Sequence, residues 1–210
     1  MKQQNQAMND IIQSLKPLFG EKIVNGSMIG HADRLRPILE ILNPKTILEI
    51  GTLRGVSSAF WATTCDQVLT IDIKPQPICS KVWTTLGLQD KIIAVHVLSN
   101  PAKKAFCQTV NFDLAFVDGE HTKEGVEFDF NCVSSQAASV LFHDYKPEGG
   151  VYESCNNNRM PGIAEFVDSL QPSPILFGPL CSKMALWLNP NKISVDIRAQ
   201  IEKVVSTMSS

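Results

Sequence analysis

Acidic and imidazole side chains follow two apolar runs of the sequence, at the point where each run ends. The run LAFVD ends in Asp118, with Glu120 and His121 directly after it, and the run SVLFHD ends in His143 and Asp144. If both runs are neighbouring parallel strands, Asp118 and Asp144 meet at one edge of the sheet. Two carboxylates so close need a cation or a shared proton, because like charges cannot both stay ionised cheaply. Oxygen ligands of this kind suit Mg2+, or Mn2+ when an imidazole joins them.

The same residues also have plainer interpretations. One carboxylate can cap a helix while the other is solvated. His121 or His143 can pack in the core, or act as a general base with a pKa near neutrality. The residue types and their spacing leave these alternatives open.

A second group of residues surrounds a glycine-bracketed loop. The apolar run TILEI contains Glu49, which is out of place as packing in a buried parallel strand, and the loop from Gly51 to Gly55 follows. Glycines let the backbone approach a ligand closely. The spacing G-x-x-x-G lacks the third glycine of a dinucleotide fingerprint, and an acidic residue suits a ligand with an ammonium group better than a pyrophosphate. A plain turn between strand and helix is the alternative interpretation.

The next apolar run ends in LTID, which places Asp72 twenty-one residues after Gly51. Nucleoside-binding α/β folds use an acidic side chain at this point to accept hydrogen bonds from a ribose diol. We therefore expect Asp72 to contact a ribose, the alternative being a solvated carboxylate at a strand end.

Strand and helix patterns alternate from Thr46 onwards with short breaks, which predicts a doubly wound α/β sheet with helices on both faces. The first five predicted strands are 46–50, 67–72, 92–97, 114–118 and 139–144. Two further runs, 174–177 and 183–188, are separated by only five residues, too few for a crossover helix, so they should be antiparallel. The residues before Thr46 carry two helical patterns and are predicted as an N-terminal helical extension (1–45) to a single globular unit (46–210).

Composition argues against several functional classes. The chain has 210 residues, a net charge of −2 and no long basic run, which disfavours nucleic acid as a partner. No apolar run approaches transmembrane length and the first ten residues are polar, so neither a membrane span nor a secretory signal is expected. The six cysteines show no metal-binding spacing, which is typical of reduced thiols in a cytoplasmic protein.

The motifs LEIGTLRGVSS, LTIDIKP, DLAFVDGEHTKEGVEFDF, VLFHDY and GIAEFVDSL together resemble those of a known family. They are similar to the class I, Rossmann-like, S-adenosylmethionine-dependent methyltransferases, and within them to the small-molecule O-methyltransferases with DG(D/E)H and HD motifs. The resemblance covers about residues 27 to 189. It implies a seven-stranded, mostly parallel sheet of order 3-2-1-4-5-7-6 with strand 7 antiparallel.

The resemblance also implies roles for individual residues. Glu49, Gly51 and Ser57 would lie near the methionine moiety of the cofactor, and Asp72 at its ribose. Asp118, Asp144 and His143 would hold a metal ion, Mg2+ or Mn2+. The catalytic residues would be Asp118, His121 and His143, with one of the two histidines as the base. The full set of residues expected to bind S-adenosylmethionine is Glu49, Gly51, Thr52, Gly55, Ser57, Asp72, Ile73, Leu98, Ser99 and Asp118.

The resemblance implies transfer of a methyl group to a hydroxyl of a small molecule, of sugar or natural-product type. The Asn/Asp-Pro-Pro-aromatic motif of amino-group methyltransferases is absent, which favours oxygen acceptors. Two rivals are a non-catalytic S-adenosylmethionine-binding protein and a nicotinamide-dependent oxidoreductase. The missing glycine and the lack of Tyr-x-x-x-Lys argue against the second rival. A homo-oligomer formed through the terminal helices is a further expectation, as is ordering of the long loop from Tyr145 to Met160 over the acceptor.

Overall fold

Seven strands form one sheet, and their order determines where the acidic strand ends meet. The structure is a computed structural model that describes residues 2–19, 31–74, 76–145, 161–178 and 183–208. The strands are β1 (Thr46–Ile50), β2 (Gln67–Asp72), β3 (Ile92–His96), β4 (Leu114–Val117), β5 (Ser139–Tyr145), β6 (Ile175–Phe177) and β7 (Lys183–Leu188). Their spatial order is β3-β2-β1-β4-β5-β7-β6.

The pairing of the strands is parallel from β3 to β5 and antiparallel at the other edge. β1 pairs in parallel with β2 and with β4, β2 with β3, and β4 with β5. β7 runs antiparallel to both β5 and β6. The predicted fold class, strand order and antiparallel strand are therefore confirmed.

Helices cover both faces of the sheet. They are α1 (Lys2–Phe19), α2 (Ala32–Leu42), α3 (Val56–Ala62), α4 (Ile78–Thr85), α5 (Asn100–Thr109), α6 (Lys123–Val133), α7 (Pro161–Val167) and α8 (Val195–Met208), with a short 3-10 helix at Gln89–Lys91. One hydrophobic core joins the sheet to α1 to α4 and α8, and a second core joins it to α5, α6 and α7. None of the helices within the described residues is long and apolar enough to cross a bilayer.

The alternation of strand side chains explains the two cores. In β1, Ile47 belongs to the first core, whereas Leu48 and Ile50 belong to the second. Successive side chains of a strand point to opposite faces, so a strand covered on both sides needs apolar residues at consecutive positions. Glu49 is the one ionisable residue of β1, and its side chain is fully buried.

The two N-terminal helices contribute to the first core rather than standing apart from it. Ile11 and Leu15 of α1 and Leu35 and Ile38 of α2 are buried there together with Ile47. The division of the chain after residue 45 stays a prediction. Helix α7 ends at Val167. Residues 146 to 160, which form almost all of the predicted acceptor loop, lie outside the described residues.

One close contact fixes the start of α3. Gly55 has a φ of +74°, which side chains rarely allow, and a Cβ built on it would lie 2.7 Å from Nε1 of Trp83. That indole nitrogen donates a hydrogen bond of 2.8 Å to the carbonyl oxygen of Gly55. Trp83 thus holds α4 against the first turn of α3, and glycine leaves it room to do so.

We predict that Gly55→Ala lowers the free energy of unfolding more than Gly87→Ala does. Gly87 also has a positive φ, +66°, but a Cβ there would meet nothing within 4 Å. The control should therefore lose only the left-handed backbone preference, about 1 kcal/mol, while Gly55→Ala adds a clash with Trp83 and should lose roughly 2–4 kcal/mol. Urea denaturation measures both, and equal losses would mean that the indole moves aside freely.

Candidate functional site

The carboxyl ends of β1, β2, β4 and β5 open into one cavity of about 800 Å3. Parallel strands of an open α/β sheet bind ligands at this edge. The structure brings most of the predicted site residues to the cavity wall. The predicted residues that line it are Gly51, Thr52, Ser57, Asp72, Ile73, Asp118, His121, His143 and Asp144.

Four predicted cofactor-binding residues do not line this cavity. They are Glu49, Gly55, Leu98 and Ser99. Glu49 lies buried below the β1–α3 loop, whereas Leu98 is 78% exposed in the turn after β3. Ser99 serves as the N-cap of α5, where its side chain accepts a hydrogen bond from the backbone N–H of Ala102.

Two carboxylates and two imidazoles converge at the β4 and β5 ends of the cavity. We call Asp118, His121, His143 and Asp144 the acid–imidazole cluster. Nδ1 of His143 lies 3.2 Å from Oδ1 of Asp118 and 3.3 Å from Oδ2 of Asp144. Nε2 of His121 lies 3.6 Å and 3.5 Å from the same two oxygens. Both predicted acids are therefore neighbours, as the sequence predicted, and both imidazoles are within reach of them.

Burial and charge oppose each other within the cluster. Burial alone would lower the pKa of His143, which is 2% exposed, but the two carboxylates outweigh it and raise that pKa to about 10. Burial disfavours the charge on Asp118, yet the imidazoles of His121 and His143 lower the pKa of its carboxyl. Asp118 likewise raises the pKa of His121. Without another cation, a protonated His143 is what offsets the two negative charges.

Neither nitrogen of His143 makes an aligned hydrogen bond to a described residue, although both are buried. Its contacts with the carboxylates are ion-pair contacts. Asp118, His143 and Asp144 each offer one ligand atom, and these atoms lie within 4.8 Å of one another. Such a set of oxygen and imidazole donors fits a divalent cation such as Mg2+ or Mn2+.

The backbone of β5 is irregular where the cluster forms. The register of β5 with β7 shifts between Phe142 and Tyr145, and Asp144 has a φ of +55°. Leu53, in the loop that lines the cavity after β1, also has a positive φ, +44°. Strained non-glycine residues are uncommon and tend to lie at functional sites. Two of the three in the described residues border this cavity.

A buried network lies below the β1–α3 loop. Ser58 Oγ and Thr70 Oγ1 both donate hydrogen bonds to Oε2 of Glu49, the second at 2.6 Å. Thr52 Oγ1 lies 2.6 Å from Thr70 Oγ1 and so joins the loop to the network. Oε1 of Glu49 has no partner among the described residues. Burial is the main cause that raises the pKa of Glu49 to about 7, so this carboxyl holds a proton far above its ordinary range.

Asp72 fixes the same loop from β2. Its Oδ2 accepts hydrogen bonds from the backbone N–H groups of Thr52 at 2.9 Å and Leu53 at 3.0 Å, and its Oδ1 accepts one from Lys74 at 2.7 Å. A carboxylate offers about four acceptor positions, so these bonds leave one on Oδ1. Asp72 can therefore shape the loop and still receive a hydroxyl from the cavity.

Several cavity residues carried no distinctive signal in the sequence. Phe19 ends the first helix, and Arg54 lies between the two glycines with its guanidinium 5.9 Å from the Phe19 ring. Lys103, in α5, pairs with the buried Asp129 of α6. Asp129 stands between Phe128 and Phe130 in the sequence, and this position was the one signal of an inward-facing charge that needs a partner.

Comparison with known families and structures agrees with this geometry. Residues 48 to 145 match a family model described as a methyltransferase domain. The matched stretch, just under half of the chain, begins in β1 and ends at the last residue of β5, so it contains the glycine loop, Asp72 and the acid–imidazole cluster. This match to a methyltransferase domain supports the predicted methyltransferase over these residues, and the observed strand order is the one that the class I fold predicts.

Solved structures resemble the chain over most of its length. An O-methyltransferase from Bacillus cereus in complex with SAH is 16% identical with a TM-score of 0.62, covering 87% of this chain and 90% of that one. The O-methyltransferase TomG from Streptomyces achromogenes, involved in tomaymycin synthesis and in complex with SAM, is 17% identical with a TM-score of 0.59, covering 87% and 89%. An rRNA methylase from Streptococcus thermophilus is 12% identical with a TM-score of 0.57, covering 76% and 96%.

These identities are low, so the resemblance establishes the fold, and that fold serves more than one acceptor class. In sequence, the chain has no significant match among curated proteins.

We predict that Glu49→Gln removes a fall in stability between about pH 4.5 and 7. In that range the unfolded chain has lost the proton of this carboxyl while the folded protein keeps it, because the folded pKa is raised from 4.5 to about 7. Folding then binds a proton, and the free energy of unfolding falls as pH rises, by up to about 1.4 kcal/mol per pH unit, until the folded form also ionises. The uncharged amide of the variant keeps an acceptor for Ser58 and Thr70.

Urea denaturation without ligands, repeated from pH 4 to 8, measures this slope. Glu127→Gln, an exposed change on α6, is the matched control and should retain the slope of the parent. A Glu49 variant with the parental slope would show that the buried carboxyl is ionised throughout.

Proposed function

We propose that this protein transfers a methyl group from S-adenosylmethionine to a hydroxyl of a small molecule, with a divalent cation held by the acid–imidazole cluster. The observation that carries the proposal is the convergence of Asp118, His143 and Asp144 in the wall of the same cavity as the β1–α3 loop. The cavity thus offers a nucleoside-binding end and an ionic end.

The nucleoside end is formed by β1 and β2. Gly51, Thr52 and Ser57 supply loop backbone and a hydroxyl at the cavity, and Asp72 supplies the free carboxylate position described above. In the proposed complex, Asp72 accepts from the ribose while the loop holds the methionine moiety. Ile73, which is largely exposed at the cavity wall, offers apolar surface. Glu49 supports this loop from below through Ser58 and Thr70.

The ionic end suits a cation by its donor chemistry. The three residues that would hold it are Asp118, His143 and Asp144. When bound, a divalent cation lowers the pKa of an acceptor hydroxyl and orients it for in-line displacement at the sulfonium methyl. To bind the cation through Nδ1, His143 would have to lose the proton that it otherwise holds. Binding of the cation should therefore strengthen as pH rises.

His121 is the residue placed to move the acceptor proton. Its side chain is 32% exposed, whereas that of His143 is 2% exposed, so His121 is the imidazole of the cluster that reaches solvent. Its Nε2 faces both carboxylates of the cluster at ion-pair distance. As the general base, His121 would take the hydroxyl proton in the cavity and release it to water.

The charge of the cavity supports a small acceptor rather than a nucleic acid. The cavity is lined by the carboxylates of Asp72, Asp118, Glu120 and Asp144 and by the basic residues Arg54, Lys103, His121 and His143. Of the basic residues, Lys103 is already paired with Asp129, and the two imidazoles with Asp118 and Asp144. Phosphate groups would be repelled there, and the chain as a whole carries a net charge of −2. A hydroxylated sugar or natural product meets no such repulsion. Cytoplasmic location and oligomerisation through the terminal helices stay predictions.

The rival interpretation is a protein that binds S-adenosylmethionine without turnover. The paired, strained geometry of the cluster favours catalysis, since a cofactor-binding module needs neither two converging carboxylates nor a left-handed Asp144. Methyl transfer to any hydroxyl acceptor in a screen with Mg2+ or Mn2+ distinguishes the two, because the rival binds cofactor and transfers nothing.

We predict that the protein binds S-adenosylhomocysteine more tightly than NAD and that Asp72→Ala weakens this binding by roughly 1–3 kcal/mol. The reason is the loss of the charged acceptor for the ribose hydroxyls. Calorimetric titration measures both affinities. Asp66→Ala, at an exposed aspartate just before β2, is the control and should bind as the parent does. Equal affinity of the Asp72 variant and the parent would remove Asp72 from the site.

We predict that Asp118→Asn and Asp144→Asn each weaken Mn2+ binding at least about tenfold, because each removes a charged ligand oxygen. Both variants should keep nearly the parental affinity for S-adenosylhomocysteine, since Asp72 and the β1–α3 loop hold the nucleoside separately. Electron paramagnetic resonance of free and bound Mn2+ gives the metal affinity.

Asp66→Asn is the control for this pair of substitutions. In a methylation assay, excess chelator should reproduce the effect of both variants, and added Mg2+ or Mn2+ should restore only the parent. Full methylation in excess chelator would refute the cation and leave His121 acting as a base without it.

A further inference from the structure

A charged donor forms part of the cavity wall between α5 and α6. Lys103 lines the cavity, yet its side chain is only 10% exposed. Its Nζ donates a hydrogen bond of 2.5 Å to Oδ1 of Asp129, which is completely buried. Burial raises the pKa of the Asp129 carboxyl, and Lys103 opposes that rise. A buried charge in this position is held by its partner and has little freedom to turn away.

This ammonium has donors that the protein does not use. Lysine carries three N–H groups, and the bond to Asp129 takes one. The ring of Phe128, whose centroid lies 5.7 Å from Nζ, offers a π face to the cation. Within the described part of the chain, Nζ has no second hydrogen-bond acceptor. A nearly buried donor without an acceptor is costly, and the cavity is the open side on which a ligand can supply one.

The position of Lys103 indicates which part of the ligand lies beside it. Val97, which follows β3 and lines the cavity, donates its backbone N–H to the carbonyl oxygen of Asp72 at 3.0 Å. The turn that leads from β3 into α5 therefore begins next to the proposed ribose acceptor. The acid–imidazole cluster lies on the other side, beyond β1. A nucleoside whose ribose is at Asp72 and whose methyl group points to the cluster must place its base towards α5.

We propose that Lys103 is a specificity-determining residue whose Nζ donates a hydrogen bond to a ring nitrogen of the cofactor's purine base, with Asp129 holding that donor in place. The inference rests on the proposed function. A purine supplies unprotonated ring nitrogens, which are the acceptors that the ammonium lacks. Asp129 acts through Lys103 and is a positioning residue. Its second oxygen, Oδ2, has no partner among the described residues and packs near Gly119.

The test compares S-adenosylhomocysteine with its 1-deaza, 3-deaza and 7-deaza analogues, each of which replaces one ring nitrogen by C–H. Calorimetry is run on the parent, on Lys103→Met, and on the double variant Lys103→Met/Asp129→Leu, which leaves no unpaired buried charge if the single variant fails to fold. Lys104→Met makes the same substitution at the exposed neighbour in α5 and is the matched control.

The parent should bind one of the three analogues at least about tenfold more weakly than S-adenosylhomocysteine, as expected for a lost hydrogen bond from a charged donor. The Lys103 variants should bind S-adenosylhomocysteine with a similar loss and should no longer distinguish it from that analogue. Lys104→Met should behave as the parent does.

Three outcomes overturn the inference. If the parent binds all three analogues as tightly as S-adenosylhomocysteine, no ring nitrogen is recognised. If the Lys103 variants discriminate as the parent does, the pair with Asp129 is structural only. If the parent binds no S-adenosylhomocysteine at all, the proposed function fails first, and this result is distinct from the other two.

Discussion

The close approach of two strand ends is the constraint on which the site depends. Gly51 donates its backbone N–H to Ile71 of β2 at 2.9 Å, and Asp118 donates its own to Ile50 of β1 at the same distance. A Cβ at Gly51, where φ is +99°, would overlap the carbonyl oxygen of Asp118. Only glycine lets the backbone after β1 lie directly against the backbone after β4. The nucleoside end and the ionic end of the cavity are adjacent for this reason.

Buried ionisable side chains surround this junction, and the burial of each one opposes folding. Glu49 lies below the loop with its carboxyl protonated up to about pH 7, Asp129 is held by Lys103, and His143 is wedged between two carboxylates. An apolar side chain at any of these positions would fit the surrounding core more easily. All three lie at one edge of the sheet. This shared location indicates that they lower the stability of the fold while they orient the loop and the cluster.

Much of the fold was predictable because apolar runs and turn residues report it directly. The consecutive apolar residues of β1, the alternation of elements and the five-residue gap before β7 predicted a doubly wound sheet with an antiparallel pair at its end, whereas the strand order came from the family resemblance. For the site, strand-end acids such as Asp118 and Asp144 were visible because charge is unexpected there. Contacts between distant segments were not visible, since nothing in the sequence pairs Lys103 with Asp129 or places Phe19 beside Arg54. The burial of Glu49 away from the cavity depended on how Ser58 and Thr70 pack around it.

The bulge in β5 has a consequence for how the His-Asp dipeptide should be understood. Adjacent residues of a regular strand point to opposite faces of a sheet, so His143 and Asp144 in an ordinary strand could never share a ligand. The shifted register and the left-handed Asp144 cancel that alternation and aim both side chains the same way. Binding of one ion by this dipeptide therefore depends on the irregular backbone as much as on the two side chains. Grafting the dipeptide onto a regular strand of another protein would transfer the two residues without the geometry that lets them bind one ion.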